Sequence, residues 1–117
     1  MKEKIQLNKI YCGDAIKILE KLPDKFIDCV VTSPPYNKGK VSKQGSANWK
    51  QGIDYSDYTD DQPEEEYQEW QKQILRECIR VIKPSGSIFY NHKPRIEKGV
   101  YDDRRNLIPC PIRQEIV

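Results

Sequence analysis

The chain has 117 residues, which is enough for one small domain. Hydrophobic residues make up 37% of it and charged residues 32%, so we expect a small buried core, together with long solvated loops or a surface that absent chain would cover. The formal net charge of +2 is close to neutral and gives no global argument for a nucleic-acid partner. The sequence contains no apolar run long enough to cross a membrane, and its first residues do not resemble a signal peptide.

Cysteine and histidine are the residues that would reveal a zinc site or a disulfide framework. The sequence has four cysteines, none of them in a Cys-x-x-Cys pair, and one histidine, His92, so no metal site is expected. Three of the cysteines lie in apolar surroundings, where reduced cysteine behaves as a small hydrophobic residue: Cys12, Cys29 and Cys78. We therefore expect a protein of the reducing cytoplasm.

The first predicted unit is a strand, a helix and a second strand over residues 10–32. Residues 9–12 have the pattern of a short strand, and Asp14 is placed as the N-cap of a helix over 15–21. The second strand, over 26–31, is almost wholly apolar. This composition is typical of a strand that is covered on both faces in a mainly parallel sheet.

Directly after this strand comes segment 32–37, with the sequence Thr-Ser-Pro-Pro-Tyr-Asn. Neither proline can donate a hydrogen bond to a neighbouring strand, so the chain must leave the sheet at the strand's carboxyl end. Ligands bind at this edge of open α/β sheets. The segment therefore presents a hydroxyl, several backbone carbonyls and an aromatic ring where a ligand is expected.

These groups suit the methylation of an exocyclic amine of a nucleic-acid base. Such an amine is a poor nucleophile because its lone pair is delocalised into the ring, so a catalyst must hold both N–H bonds with acceptors. The Ser33 hydroxyl and the Pro34 carbonyl can accept these bonds, and Pro35 stiffens the backbone. The Tyr36 ring can stack on a base, which is worth about 1–3 kcal/mol, once the base is flipped out of the duplex. Taken alone, Pro-Pro-Tyr is equally typical of a polyproline turn or ligand.

Residues 37–62 show no periodicity, and a long irregular loop in a small domain is usually functional or disordered. The lysines of this loop fall in a stretch without acidic residues, and they are candidates for contacts with phosphates. A solvated, lysine-rich loop is the alternative. Together with the asparagine that begins the loop, the candidate contacts to nucleic acid are Asn37, Lys38, Lys40, Lys43 and Lys50.

The longest predicted helix covers about residues 63–82, with a proline and acidic residues in its first turn. Tyr67 and Trp70 lie on its apolar stripe and are expected in the core. The acidic stretch 54–69 is interpreted as a solvated face that points away from DNA, because it would repel the phosphates.

The remaining chain is predicted to contain a single further strand before its last element. Residues 83–86 have the composition of a turn, and residues 87–91 that of a third strand. Residues 92–106 are polar and predicted as loop, in which His92 is given a solvated role in preference to a catalytic one. A short helix or strand is expected to begin where the sequence stops, after the prolines of residues 107–117.

Segment 32–37 resembles the catalytic motif of amino-type DNA methyltransferases, which use S-adenosylmethionine as methyl donor. The resemblance covers nearly the whole chain. Residues 10–15 look like the opening strand of the family, and residues 80–89 look like the strand that follows its catalytic loop. Residues 108–117 look like a segment that leads into a further strand. It implies an α/β, partial Rossmann-like methyltransferase fold with a mainly parallel sheet. The implied substrate is double-stranded DNA with a flipped target base.

The order of the motifs is similar to that of the beta class, in which the target-recognition region and a Phe-x-Gly-x-Gly cofactor motif follow the catalytic motif. This sequence has six glycines, and no two of them are separated by a single residue. The resemblance therefore implies that residues 1–117 are a single, incomplete catalytic domain, with its catalytic loop at 32–62 and its C-terminal part missing. That missing half, or a partner chain, would complete the active site.

The resemblance also assigns roles to individual residues. The catalytic residues would be Ser33, Pro34, Pro35 and Tyr36, and the cofactor-binding residues would be Gly13, Asp14, Ala15 and Thr32. Asp14 thus has two interpretations, a helix N-cap and a contact to the adenosine part of the cofactor. Ser33 is the first residue of the Ser-Pro-Pro-Tyr motif, and serine at this position favours cytosine N4 as the methylated atom. The resemblance also implies a restriction-modification type of system.

Several alternatives stay open at this stage. Adenine-N6 enzymes more often have Asp or Asn at the first motif position, but some with Ser-Pro-Pro-Tyr methylate adenine, so adenine N6 is the first alternative. RNA or a protein amide could also be the substrate. The third alternative is a catalytically incomplete fragment that only binds DNA or a partner chain.

Overall fold

The computed structural model describes residues 4–37 and 60–116. Its first elements are helix α1 at Ala15–Leu19 and strand β1 at Ile27–Thr32. Helix α2 at Glu64–Val81 runs directly into strand β2 at Ile82–Tyr90. A hairpin follows, formed by β3 at Arg95–Glu97 and β4 at Val100–Asp102, and then a 3-10 turn at Arg105–Leu107.

Strands β1 and β2 form a two-stranded parallel sheet, in which Thr32 pairs with Tyr90. The long helix predicted from the apolar periodicity is confirmed as α2, which contacts α1, β2 and the 3-10 turn. Its buried side chains recur every three or four residues: Tyr67, Gln71, Leu75, Cys78 and Val81. The chain is therefore of the mixed α/β type with a parallel strand pair, which is compatible with part of a methyltransferase fold.

Strand β2 contains a bulge close to its start. Ile27 of β1 pairs with Ile82, but Cys29, only two residues on, pairs with Ser87, which is five residues on in β2. The turn predicted at residues 83–86 is thus a bulge inside the strand, and the strand begins earlier than expected. A glycine is needed there, because a Cβ atom on Gly86 would lie 2.5 Å from Ile82 Cγ1 and 2.8 Å from the Asp28 carbonyl oxygen.

The strand predicted at residues 9–12 is wrong, because the described residues supply no partner strand for it. Ile10 is 97% exposed. An isolated strand leaves its backbone groups without partners in a sheet, so apolar composition alone does not make one. The expected apolar surroundings of Cys12 and Cys29 are also absent, since both are exposed, whereas Cys78 is buried as predicted.

The region predicted as loop after β2 contains the β3–β4 hairpin. Lys98 and Gly99 connect its strands with φ angles of 49° and 77°, the left-handed region that the tightest hairpin turns require. Lys-Gly is a weaker hairpin signal than Asn-Gly, and the strands are three residues long, so the pattern escaped prediction. Residues 108–116 contain no helix or strand.

Candidate active site

The predicted catalytic motif leaves the sheet at the carboxyl end of β1, as the prolines require. Ser33 is exposed, and its Oγ lies 2.9 Å from the hydroxyl of Tyr36. The Asn91 side-chain amide, just beyond the end of β2, lies 3.5 Å from the same Oγ. The parallel register brings these groups together, because it places the end of β2 beside the end of β1.

Three consecutive backbone carbonyls of the motif accept hydrogen bonds from side chains of later elements: Pro35 from Tyr67 Oη at 2.5 Å, Tyr36 from Arg104 Nη1 at 2.8 Å and Asn37 from Arg95 Nη1 at 2.7 Å. In the described part of the chain, nothing donates a hydrogen bond to the carbonyl of Pro34. The Pro34 carbonyl, one of the two acceptors predicted to hold a substrate amine, therefore differs from the three carbonyls that follow it, which are occupied within the protein.

Glu64, the first residue of α2, is the centre of the charged groups behind the motif. Its Oε1 accepts from Arg104 Nε at 2.6 Å, and its Oε2 accepts from Arg104 Nη2 at 2.9 Å and from Arg95 Nη1 at 3.0 Å. The Arg104 side chain is only 2% exposed and that of Glu64 is 20% exposed. The acidic stretch predicted to be a solvated face is thus wrong at Glu64.

The environment of Glu64 keeps its carboxyl ionised. Burial alone would raise its pKa, but hydrogen bonds from Arg104, Gln68 and Asn37 outweigh burial and lower the pKa from 4.5 to about 2. A buried guanidinium needs a paired charge, and Glu64 supplies that charge to Arg104. The pair therefore persists at every pH at which such a protein would operate.

Asn37 has a structural role in the protein, and its predicted contact with nucleic acid stays a prediction. It is 1% exposed, its Nδ2 donates to the Gln62 carbonyl at 2.9 Å, and its Oδ1 accepts from the Gln62 backbone N–H at 2.8 Å. Its own backbone N–H donates to Asp60 Oδ1 at 2.8 Å. Asn37 thus joins the two ends of the loop. The four lysines proposed to contact phosphates lie outside the described residues: Lys38, Lys40, Lys43 and Lys50.

His92 belongs to the site, so its prediction as a solvated loop residue is wrong. It is half-buried, its ring stacks on Tyr90 with centroids 5.2 Å apart, and the Tyr36 ring lies 5.3 Å away. Its Nε2 lies 2.6 Å from the Tyr67 hydroxyl. Burial lowers the pKa of His92, and this favours the neutral ring. One feature of the sequence could have located His92 in the site. The residue directly follows the third predicted strand, and that strand pairs with the strand that precedes the motif.

The contacts of His92 involve both ring nitrogens. The Tyr67 hydroxyl donates to the Pro35 carbonyl and can accept from Nε2–H of the histidine. Nδ1 lies 2.8 Å from the backbone nitrogen of Lys93 and 2.8 Å from its carbonyl oxygen, so its role depends on the tautomer. Tyr67 is fully buried, as predicted for a core residue, but it also anchors the motif.

The predicted cofactor residues lie apart in the described contacts. Asp14 is the N-cap of α1, as predicted, and its Oδ1 accepts from the N–H groups of Ile16 at 2.9 Å and Lys17 at 3.4 Å. Gly13, Asp14 and Ala15 are exposed, while Thr32 accepts a backbone hydrogen bond from Asn91 at 2.9 Å. Among the described residues, no hydrogen bond or ion pair joins residues 13–15 to the motif, so their role in cofactor binding stays a prediction.

Comparison with known proteins assigns the chain to a family. Residues 27–114, which run from β1 through the motif, α2, β2 and the hairpin, match the family model described as DNA methylase. The chain belongs to the DNA methylase family. The predicted resemblance to amino-type DNA methyltransferases is thereby confirmed, and the matched range contains most of the candidate site described above.

Relatives of this DNA methylase domain include proteins named Type II methyltransferase and one named DNA adenine methyltransferase. It is 41% identical over 111 residues to the Type II methyltransferase M.BglII of Bacillus subtilis, a match covering 94% of this chain and 25% of the relative. It is 32% identical over 89 residues to the Type II methyltransferase M.BamHI of Bacillus amyloliquefaciens, covering 76% of this chain and 18% of the relative. It is 31% identical over 77 residues to the DNA adenine methyltransferase YhdJ of Escherichia coli strain K12, covering 66% of this chain and 22% of the relative.

The chain spans about a quarter of the length of these relatives or less. Within residues 4–37 and 60–116, no group of three or more His, Cys, Asp or Glu side chains is arranged to hold a metal ion. None of the helices of this part is long and apolar enough to cross a membrane.

Proposed function

We propose that this DNA methylase domain catalyses transfer of a methyl group from S-adenosylmethionine to an exocyclic amine of a base in DNA, with cytosine N4 favoured. The observation that carries the proposal is the pair of acceptors at the carboxyl end of β1. Ser33 Oγ is exposed and the Pro34 carbonyl is open, while the three carbonyls that follow are held inside the protein. Such a pair can hold the two N–H bonds of one amine.

The chemical role of the motif follows from the needs of the amine. When both N–H bonds point at fixed acceptors, the nitrogen lone pair turns out of the plane of the base. S-adenosylmethionine, if held by the proposed residues Gly13, Asp14, Ala15 and Thr32, would supply an electrophilic methyl group on a sulfonium, and its thioether would be the leaving group. The methylated amine would lose its extra proton to water. Tyr36 stacks on the flipped base, and its hydroxyl, 2.9 Å from Ser33 Oγ, holds the serine in place.

The cofactor assignment fits one feature of the described residues. Both capping hydrogen bonds of α1 use Oδ1 of Asp14, so Oδ2 is left for the hydroxyl groups of a ribose. We propose Gly13, Asp14, Ala15 and Thr32 as the part of the cofactor site on this chain. The rest of the cofactor site and the target-recognition region are proposed to lie in further chain, so that residues 1–117 form an incomplete domain.

The target atom is chosen between two candidates. Serine at the first position of the motif favours cytosine N4, and a role in a restriction-modification type of system is proposed because most of the relatives cited carry the name Type II methyltransferase. Adenine N6 is the second candidate, because a relative 31% identical is named a DNA adenine methyltransferase. The lysines of the loop are proposed to contact phosphates of double-stranded DNA, which would make binding fall steeply with salt.

Mass analysis of nucleosides decides between these candidates. The full-length protein is incubated with unmethylated DNA and S-adenosylmethionine, and the DNA is digested to nucleosides. N4-methylcytosine is the expected product, and N6-methyladenine would establish the second candidate instead. If the full-length protein binds DNA and leaves it unmodified, the proposal of an enzyme is overturned in favour of a chain that only binds.

A further inference from the structure

We propose that Glu64 is a positioning residue for methyl transfer: through Arg104 and Arg95 it fixes the backbone of the catalytic motif so that the Pro34 carbonyl faces the substrate. The inference rests on the proposed function, because it assigns that carbonyl to the amine. It adds residues from α2 and from the hairpin region, which lie 27 or more positions after the motif and were predicted to be solvated or in a loop.

Arg104 makes the central contact. Its guanidinium meets Glu64 through two nitrogens, Nε and Nη2, at 2.6 and 2.9 Å, and its third nitrogen donates to the Tyr36 carbonyl at 2.8 Å. All three guanidinium nitrogens of Arg104 thus donate hydrogen bonds, and the single ammonium group of a lysine could not make these contacts. Arg104 also has a left-handed φ of 59°, which is held by a hydrogen bond from its backbone N–H to Asp102 Oδ1 at 3.0 Å.

Arg95 makes the parallel contact one residue further along the motif. Its Nη1 donates to the Asn37 carbonyl at 2.7 Å and to Glu64 Oε2 at 3.0 Å. The side-chain amide of Asn37 also donates to Glu64 Oε2, at 3.2 Å. A single carboxylate therefore orients both arginines and holds the residue that begins the loop.

The consequence of these contacts is geometric. Rotation of a peptide plane next to Pro34 would change the direction of its carbonyl, and the occupied carbonyls of Pro35, Tyr36 and Asn37 oppose that rotation. A displacement of about 1 Å in such a group can lower a rate roughly 100-fold. If the ion pairs only stabilised the fold, their arginines would not be expected to donate to consecutive carbonyls of the catalytic motif.

Two variants of the full-length protein test the inference. Glu64→Gln removes the charge that pairs with Arg104, and Arg95→Met removes the bond to Asn37 while Arg104 keeps its partner, so the second variant folds even if the first does not. The matched controls are Glu69→Gln and Arg76→Met, an ion pair on the same helix with both side chains 57% exposed. The measurements are the single-turnover rate of methyl transfer, the affinities for DNA and S-adenosylmethionine, and amide hydrogen exchange.

We expect at least a tenfold loss of the single-turnover rate in Arg95→Met, a larger loss in Glu64→Gln, and affinities within about twofold of the wild type. In Arg95→Met, exchange should rise at the amides of Ser33, Tyr36 and Asn37 and stay unchanged in β1 and in the centre of α2. In Glu64→Gln, which also loses the stability of the buried charge pair, the rise at these three amides should exceed the rise in β1 and α2. The controls should match the wild type in every measurement.

Unchanged rates in both folded variants would overturn the inference. So would a loss of rate in Arg95→Met accompanied by exchange that is faster by the same factor throughout α2 and β2, because that pattern indicates general destabilisation. If the wild-type protein methylates no base, the proposed function fails and the catalytic part of the inference fails with it. Hydrogen exchange at the motif still shows in that case whether Glu64 holds the segment.

Discussion

Ser33 is the side chain on which the proposed chemistry depends most directly. It is exposed, and its contacts are to the Tyr36 hydroxyl and the Asn91 amide, so its removal disturbs little packing. We expect Ser33→Ala to lower the rate of methyl transfer about 100- to 1,000-fold, the loss typical of one preorganised acceptor or donor, with an unchanged melting temperature. Single-turnover kinetics and calorimetry measure both quantities in the full-length protein.

Ser85→Ala is the matched control for this change, because Ser85 is an exposed serine in the bulge of β2. It should keep the wild-type rate. A Ser33→Ala protein that retains the wild-type rate would show that the hydroxyl does not hold the amine.

The charge on Glu64 makes a pH-dependent contribution to stability. Its pKa is about 2 in the folded protein and 4.5 is its ordinary value, so the contribution is complete above about pH 4.5 and is lost as the pH falls towards 2. This shift in pKa corresponds to about 3 kcal/mol of unfolding free energy. Urea unfolding at pH 3 and pH 7 should show a smaller difference in unfolding free energy for Glu64→Gln than for the wild type.

Glu69→Gln is the control for this measurement, since that carboxylate is 57% exposed and pairs with Arg76 at 3.5 Å. It should leave the pH dependence unchanged, because exposed pairs of this kind contribute little. An equal pH dependence in the wild type and in Glu64→Gln would contradict the buried ion pair.

At the scale of single residues, the sequence predicted the groups that act locally. Ser33 at the end of a strand and Asp14 as an N-cap follow from near neighbours in the chain, and both lie as expected. The contact of Glu64 with Arg104 joins residues 40 positions apart, across α2, β2 and the hairpin. No periodicity or spacing encodes that contact, and the acidic run around Glu64 indicated a solvated face instead.

The elements differ in how well the sequence predicted them. Helix α2 and the pair of β1 and β2 follow from long apolar patterns, which few alternative structures satisfy. The strand expected at residues 9–12 depended on a neighbour that the described residues do not supply. The β3–β4 hairpin was not predicted from the sequence for two reasons. Its turn uses Lys98, and lysine is uncommon at positive φ. Its three-residue strands are also too short to show an alternation of apolar and polar residues.

The bulge in β2 makes a prediction at the scale of the element. Gly86→Ala would place a methyl group 2.8 Å from the Asp28 backbone oxygen and 2.5 Å from Ile82 Cγ1, so the two strands would have to separate locally. We expect a loss of about 1–3 kcal/mol in unfolding free energy. Urea denaturation of the full-length variant measures this loss.

Gly99→Ala separates this clash from backbone strain. Gly99 has a φ of +77° and nothing within 4 Å of an added Cβ, so only strain opposes the change, which we expect to cost about 1 kcal/mol. If Gly86→Ala cost no more than Gly99→Ala, close contact between β1 and the bulge would not be the reason for the glycine.

At the scale of the whole molecule, the described residues cover one face of the parallel sheet and leave the other open. Tyr90 reaches α2, where its hydroxyl donates to Gln71 at 2.7 Å, while Val31 and its register partner Phe89 are 77% and 57% exposed. Side chains alternate between the faces of a strand, and parallel sheets are normally covered on both. The sequence predicted two covered faces from the apolar run alone, and residues 4–37 and 60–116 supply cover for one.

We therefore expect further chain of the full-length protein to cover the open face, since the relatives are about four times as long as the matched segment or longer. In the full-length protein, Val31→Asp should then lower the unfolding free energy by several kcal/mol or abolish soluble expression, because an unpaired carboxylate would be buried. Gln73→Asp, on the exposed side of α2, introduces the same charge and should change the unfolding free energy by less than about 0.5 kcal/mol. Urea unfolding and soluble yield compare the two. If Val31→Asp is as harmless as Gln73→Asp, the open face is solvated in the complete enzyme, and the sheet of this DNA methylase is built on one covered face only.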